Sequence, residues 1–308
     1  MYVIPLDMHR HVFTFNFSKI NQMKRYVLIY LMILIFSSCE DENFDPEITE
    51  FTFNYNIHES LNSEYVQEFN IIFDNLQNLI PIQKNTYFNN IDVYAWNSKV
   101  DKPYKNKIGN YTGACICGNN MSRFMVLEIP DDEFKYNSNH RFSVIAHEYF
   151  HVYQMSLSKQ FYDGNIELKW MSEGGAASFE SIYIQEFYLS NYFLEAQDRV
   201  HESVINNPKI FETYEASGDE DINYASSVFM FLALSKELQK INYTEEEAFR
   251  MIFKDFWLLN PNENNWKEKF SELFGFSVDT FYNNLKDYSP QIENVLPSNS
   301  LKIQSIFN

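Results

Sequence analysis

His147-Glu148-Tyr149-Phe150-His151 decides how this chain is read: two histidines four residues apart, with a glutamate directly behind the first. On an α-helix residues four apart lie one above the other, so both imidazoles project to one side. That spacing lets two ring nitrogens reach one zinc ion at bond lengths of about 2.0–2.1 Å. Glu148, next to His147, is then placed to handle a water at the metal's open position. Zinc lowers the pKa of a bound water from about 15.7 toward 7, so a hydroxide becomes available at neutral pH. Five residues thus supply two ligands and a general base.

The surrounding residues favour a buried helix over 139–158. Phe142, Val144, Ile145 and Ala146 precede the motif, Val152 and Tyr153 follow it, and Asn137-Ser138-Asn139 offers N-cap candidates. Lone histidines on helices are usually structural. Burying Glu148 together with two histidines, and giving them no ligand, would however carry a desolvation cost.

A second short motif, Trp170-Met171-Ser172-Glu173-Gly174-Gly175-Ala176-Ala177, follows the polar turn Asp163-Gly164-Asn165. Two antiparallel helices joined by that loop would bring Glu173 to the metal as third ligand. Two His, one Glu and a water make the open four-coordinate arrangement of catalytic zinc. Gly174 through Ala177 are small enough to let the second helix approach the first closely. At these residues the chain resembles a gluzincin-type zinc metallopeptidase, the group in which His-Glu-x-x-His is followed a few turns later by a Glu on a second helix. The Trp-x-x-Glu-Gly form is similar to that of bacterial collagenase-like and plant basic-secretory-like members. The resemblance runs over residues 50–290 in the order of elements and is specific at the two short motifs.

The resemblance implies an α+β, zincin-like fold: a small mixed sheet plus the active-site helix in an N-terminal lobe (50–160), and a mainly helical C-terminal lobe (161–308) carrying the third ligand. Strand-like alternation at 50–57, 91–96, 114–117 and 123–129 suits the sheet, and apolar spacing over 63–79 suits a helix. By the same resemblance an edge strand near the cleft, assigned to 113–117, binds an extended peptide by strand addition. In the second lobe, 171–187 and 223–240 read as helices and 191–220 as an insertion at the cleft rim. Thr244-Glu245-Glu246-Glu247 is a capping box. Phe274-Gly275-Phe276-Ser277 reads as a helix end and restart, and the tail from Pro290 as loosely attached.

Residues 1–22 have no clear pattern and read as an upstream over-extension of the frame. Met23-Lys24-Arg25 then opens a basic segment, and residues 26–36 form an apolar run too short to span a bilayer as a mature helix. The run ends in Phe36-Ser37-Ser38-Cys39, which resembles a bacterial lipoprotein cleavage box. This makes 23–38 a signal peptide and Cys39 the lipidated residue, with membrane attachment through that lipid at the cell envelope, in the outer membrane or at the cell surface. An ordinary secreted or membrane-anchored chain is the alternative. Residues 39–49 form an acidic tether, similar to the export signal of Bacteroidota surface lipoproteins; a solvated linker would look the same.

With 24 Lys+Arg against 42 Asp+Glu and a net charge of −18, the chain is a poor match for nucleic acid or an anionic membrane face. Cys115 and Cys117, in Gly113-Ala114-Cys115-Ile116-Cys117-Gly118, share one strand face. Free or loosely paired thiols are expected there, because a disulfide across so short a separation is strained. With no His or Cys pair beside them, a second metal site is not expected there.

Peptide hydrolysis also needs a donor for the developing oxyanion. In related enzymes a Tyr or His of the second lobe supplies it, which makes Tyr224 the first candidate and His201 and Tyr214 the next. A packing or rim role for Tyr224 stays open beside this. Thermolysin-like enzymes place an Asp one turn after the third ligand, where this chain has Ala177; Glu180 or a backbone carbonyl would then have to orient a zinc-bound imidazole.

The resulting expectation is a zinc-dependent peptidase acting on a peptide or protein substrate, with Glu148 as base, Tyr224 as oxyanion donor and His147, His151 and Glu173 on Zn2+. Endopeptidase action is favoured, because Glu128, Asp131 and Asp132 precede the motif without an exopeptidase signature. Manganese or cobalt would suit the same ligands. The alternative is a cell-surface binding lipoprotein on a zincin scaffold with a structural or vestigial metal.

Overall fold

The period-2 segments of the first half become one mixed sheet in the computed structural model, which describes residues 51–214 and 220–308. The over-extension at 1–22, the signal segment at 23–38, the lipidation at Cys39 and the tether at 39–49 lie outside the described residues. The strands are β1 (Thr52–Ile57), β2 (Asn90–Asn97), β3 (Ala114–Asn119) and β4 (Ser122–Ile129), in the order β1-β2-β4-β3. β1, β2 and β4 run parallel, and β3 pairs antiparallel with β4 at the edge, with Ile116 opposite Met125 and Gly118 opposite Arg123. Pleating divides the side chains between two faces. Ile91, Val93, Ala95, Met125 and Leu127 join the main core, whereas Tyr94, Trp96 and Val126 form a small cluster behind the sheet.

Helix α1 (Ser63–Leu79) spans the predicted range, begins at an Asn62 cap that accepts from the Tyr65 amide, and buries Tyr65, Phe69, Ile72, Phe73 and Leu76. It packs on α2 (His140–Leu157), the helix of the His-Glu-x-x-His motif, through Phe73 and Tyr149, whose rings meet edge-on at 6.1 Å. α2 is buried on all sides from Ser143 to Met155, as expected of a helix without a polar face. Its start falls within the candidate caps Asn137-Ser138-Asn139. Asn139 is itself helical and caps nothing with its side chain; instead the Ser138 hydroxyl accepts from the His140 amide at 3.1 Å.

Two further long helices complete the frame: α3 (Lys169–Tyr188), carrying Glu173, and α4 (Glu220–Lys240), carrying Tyr224. α2 and α3 run in opposite directions, since His147 meets Glu180, His151 meets Glu173, and Gln154 meets Ser172. Between α3 and α4, short helices at Tyr192–Ala196 and Ser203–Asn206 and a 3-10 turn at Pro208–Glu212 bury Tyr192, Phe193, Val204 and Phe211. This segment, expected as a rim insertion, therefore packs into the helical body. The Thr244 capping box is present, and Gly275 (φ 78°) ends one helix before Ser277 caps the next. Met251–Asp255 forms a π-helical turn that buries Phe253 against Phe150 and Phe231. Among the described residues, no helix is long and apolar enough to cross a membrane.

Three local readings are corrected. The tail beyond Pro290 is not loose: Ile292, Val295, Ile303 and Ile306 are fully buried, the Ile303 amide donates to Glu186 at 2.9 Å, and the Phe307 ring lies 5.6 Å from that of Tyr153. The run is short on continuous apolar residues, so its anchoring becomes visible only in the tertiary fold. Ile306→Ala should cost about 2–4 kcal/mol in chemical denaturation, the usual range for emptying a buried aliphatic site; a loss below about 0.5 kcal/mol would mark a loosely seated tail.

Cys115 and Cys117 are joined by a disulfide rather than free. Alternate residues of β3 share a face, and the Cα atoms here are 5.4 Å apart, within the usual span for such a bond. Both sulfurs face the small cluster behind the sheet.

Gly174 serves a different contact from the one expected. A Cβ there would meet the Ser227 carbonyl oxygen of α4 at 2.5 Å, so the missing side chain admits α4 rather than the motif helix. Gly175 is the residue that faces α2, with Gln154 at 3.4 Å and Phe150 at 3.6 Å from such a Cβ.

Candidate metal centre

The antiparallel packing of α2 and α3 brings three ligand atoms from the two predicted motifs to one point. His151 Nε2 lies 3.1 Å from His147 Nε2 and 3.0 Å from Glu173 Oε2, and His147 Nε2 lies 3.5 Å from that same oxygen. A tetrahedral ion with bonds of about 2.0–2.1 Å holds its ligand atoms about 3.3–3.4 Å apart. The triangle fits that requirement, and these buried or half-buried groups can hold a metal ion.

Each ligand is oriented by a further contact. His147 Nδ1 is 3.2 Å from Glu180 Oε2, and His151 Nδ1 is 2.8 Å from Gln154 Oε1. Gln154 in turn donates to the Ser172 carbonyl at 3.2 Å, which ties α2 to α3 one residue before Glu173. The second oxygen of Glu173 accepts from Lys169 Nζ at 3.1 Å. These contacts leave both Nε2 atoms and one Glu173 oxygen facing the same point, as metal binding requires. Glu180, and not a residue at Ala177, is thus the carboxylate in contact with His147.

The electrostatics agree. Burial opposes charge on Glu173, yet the histidines and Lys169 hold its carboxyl well below the usual range, so it is ionised as a ligand must be. Burial likewise opposes charge on His147, but Glu173 and Glu180 outweigh it and push its pKa well up. The same two carboxylates would favour a metal cation at that point. Glu148 is different. Burial pushes its carboxyl up, His147 and His151 pull it down, and its Oε2 is buried with no hydrogen-bond partner.

The cluster opens into a cleft of about 430 Å³ lined by Ala114, Cys115 and Ile116 of edge strand β3, by Arg123, Phe161 and Lys169, and by Tyr224. Tyr224 packs edge-on to His147 with ring centroids 5.8 Å apart. Burial and then Glu173 push its hydroxyl pKa far up, so it stays a proton donor. Among the described residues its hydroxyl has no hydrogen-bond partner. Tyr214 is engaged elsewhere, its hydroxyl 2.8 Å from Ser227 Oγ, and His201 is exposed beside Ser203 and does not line the cleft. Glu128 is turned to Trp96 and Gly113, and Asp131 to Asn97 and Lys135.

Sequence reasoning missed Gln154, Lys169 and Arg123. Gln154, three residues after His151, and Lys169, four before Glu173, were open to inspection at helical spacing. Arg123 carries no local signal. Replacing Glu180 by Gln should weaken metal binding about tenfold, at the low end of the usual 10–100-fold cost of such supports. Competition against a chromophoric chelator reads this, and an unchanged Kd would deny Glu180 its role.

No protein family, curated protein or solved structure matches this chain.

Proposed function

We propose that the protein is a zinc-dependent peptidase of zincin-like build that hydrolyses peptide bonds in the cleft between β3 and the His147–His151–Glu173 cluster. The observation that carries this reading is the contrast within the motif: three groups converge on one point, while Glu148 keeps a buried, unpartnered carboxylate oxygen beside them. A site of purely structural purpose has no use for that carboxylate and would usually close with a fourth protein ligand. In the zincin reading β3, at the sheet edge and antiparallel to its neighbour, pairs with an extended substrate segment.

The metal would supply a polarised carbonyl and a water of lowered pKa. Glu148 accepts the proton of the attacking water and passes it to the leaving amine. Tyr224 donates from its hydroxyl to the oxygen that gains charge in the tetrahedral intermediate. Endopeptidase action remains the favoured form, as the acidic residues ahead of the motif are engaged away from the cleft. In this reading the chain is a cell-envelope lipoprotein anchored through Cys39.

The test is cleavage of a mixed peptide library before and after chelation. Zinc-dependent hydrolysis, lost to chelator and restored by added zinc, supports the peptidase. A protein that binds zinc and cleaves nothing would favour the binding lipoprotein with a structural metal.

A further inference from the structure

Arg123 is the arginine among the residues that line the metal cleft. It is the second residue of β4, and strand alternation puts it on the helix-facing side with Met125 and Leu127, where it lines the metal cleft. Its Nε donates to the Tyr162 carbonyl at 3.0 Å, one terminal nitrogen donates to the same oxygen, and its guanidinium lies 5.1 Å from the Tyr162 ring centroid. These contacts fix the plane of the group. The other terminal nitrogen has no hydrogen-bond partner among the described residues, and no described carboxylate forms an ion pair with it. The acidic group closest in sequence to Tyr162, Asp163, is taken by Lys159. The second cation of the cleft, Lys169, is already matched by Glu173.

Arg141 is likewise held by carbonyl and amide oxygens, but of the two only Arg123 lines the cleft. Partial burial weighs against the Arg123 charge more than the nearby Asp163 carboxylate supports it. A clamp on one carbonyl would be met as well by a neutral donor. A held guanidinium with a free edge is the geometry that recognises a carboxylate by charge-assisted hydrogen bonds.

We infer that Arg123 is the specificity-determining residue of the cleft and binds a carboxylate of the substrate, either an acidic side chain or the free C-terminus. This deepens the peptidase reading and rests on it for the identity of the ligand as a peptide.

The test separates the two. Binding is measured by fluorescence anisotropy on zinc-loaded Glu148→Gln protein, with two matched peptide pairs: Glu against Gln in the side chain, and C-terminal carboxylate against amide. The expected result is at least tenfold tighter binding of the carboxylate member in one pair, and that pair identifies the source. In Arg123→Gln the preference should fall to within twofold, while Arg123→Lys, which keeps the charge but not the fork, should retain part of it. The comparison between pair members with Arg123 in place depends on no substitution at that position. Equal binding of both members in both pairs, or a preference that survives Arg123→Gln, overturns the assignment of Arg123. The peptidase reading is judged separately, by hydrolysis with the Glu148 protein.

Discussion

Glu148→Gln is expected to lower peptide hydrolysis by about 10²–10⁴-fold, the range that a positioned general base supplies, while leaving one metal ion per chain. The two halves of that result come from different atoms. His147, His151 and Glu173 place their ligand atoms within one small triangle, and Glu148 is outside it. Gln has the shape of Glu and fits the same space, but its amide cannot take a proton from water. The variant should also fold at least as well as the parent. Glu148 Oε2 is buried with no hydrogen-bond partner, and burial weighs against its carboxylate more than His147 and His151 favour it. Equal activity in parent and variant, within about threefold, would remove Glu148 from the chemistry. A loss of metal would place it among the ligands instead. Either finding is readable by pairing initial rates with elemental analysis, and thermal melting of both proteins checks the stability half.

Gly174→Ala should cost more than the same methyl addition at its neighbour Gly175. The new Cβ would stand 2.5 Å from the Ser227 carbonyl oxygen and 2.7 Å from its carbon, both of them backbone atoms of α4. Ala favours a helix over Gly by about 1 kcal/mol, so an exposed site would gain from this change. Here the overpacking term opposes it, at about 1–3 kcal/mol and sometimes more. Ser227 cannot yield without moving α4, so the upper part of that range applies and the net change is destabilising. Tyr224 lies three residues earlier on the same helix and packs on His147. Displacing α4 therefore moves the proposed oxyanion donor, and misplacements of about 1 Å can cost 10²-fold in rate. Gly175→Ala is the control: its Cβ would meet the Phe231 ring edge at 3.2 Å, and a side chain can turn aside. Denaturant titration should show a clear loss for the first variant and little for the second. The reverse order would contradict the packing of α3 on α4.

Much of this was legible in the chain because the signals are local. The motif helix and the Glu173 helix are long apolar segments bounded by polar turns, and α1 shows its buried stripe from Tyr65 to Leu76 at helical spacing. The strands appeared through alternation, and Ser277 and Thr244 through cap chemistry. What escaped depends on distant neighbours. The partner of Gly174 is a helix some fifty residues later, and Ile303 and Ile306 look exposed until the core they fill is built. The Cys115–Cys117 disulfide requires the actual Cα separation, which the spacing alone does not give. Arg123 becomes informative only when strand order and the Tyr162 turn place it in the same cleft as the histidines.

The central claim is that His147, His151 and Glu173 hold a catalytic metal, and metal stoichiometry tests it most directly. The protein, dialysed against metal-free buffer after zinc loading, should retain one zinc per chain by elemental analysis, and the double variant His147→Ala, His151→Ala should retain almost none. Zinc absent from the parent, or held equally by the double variant, would contradict the account.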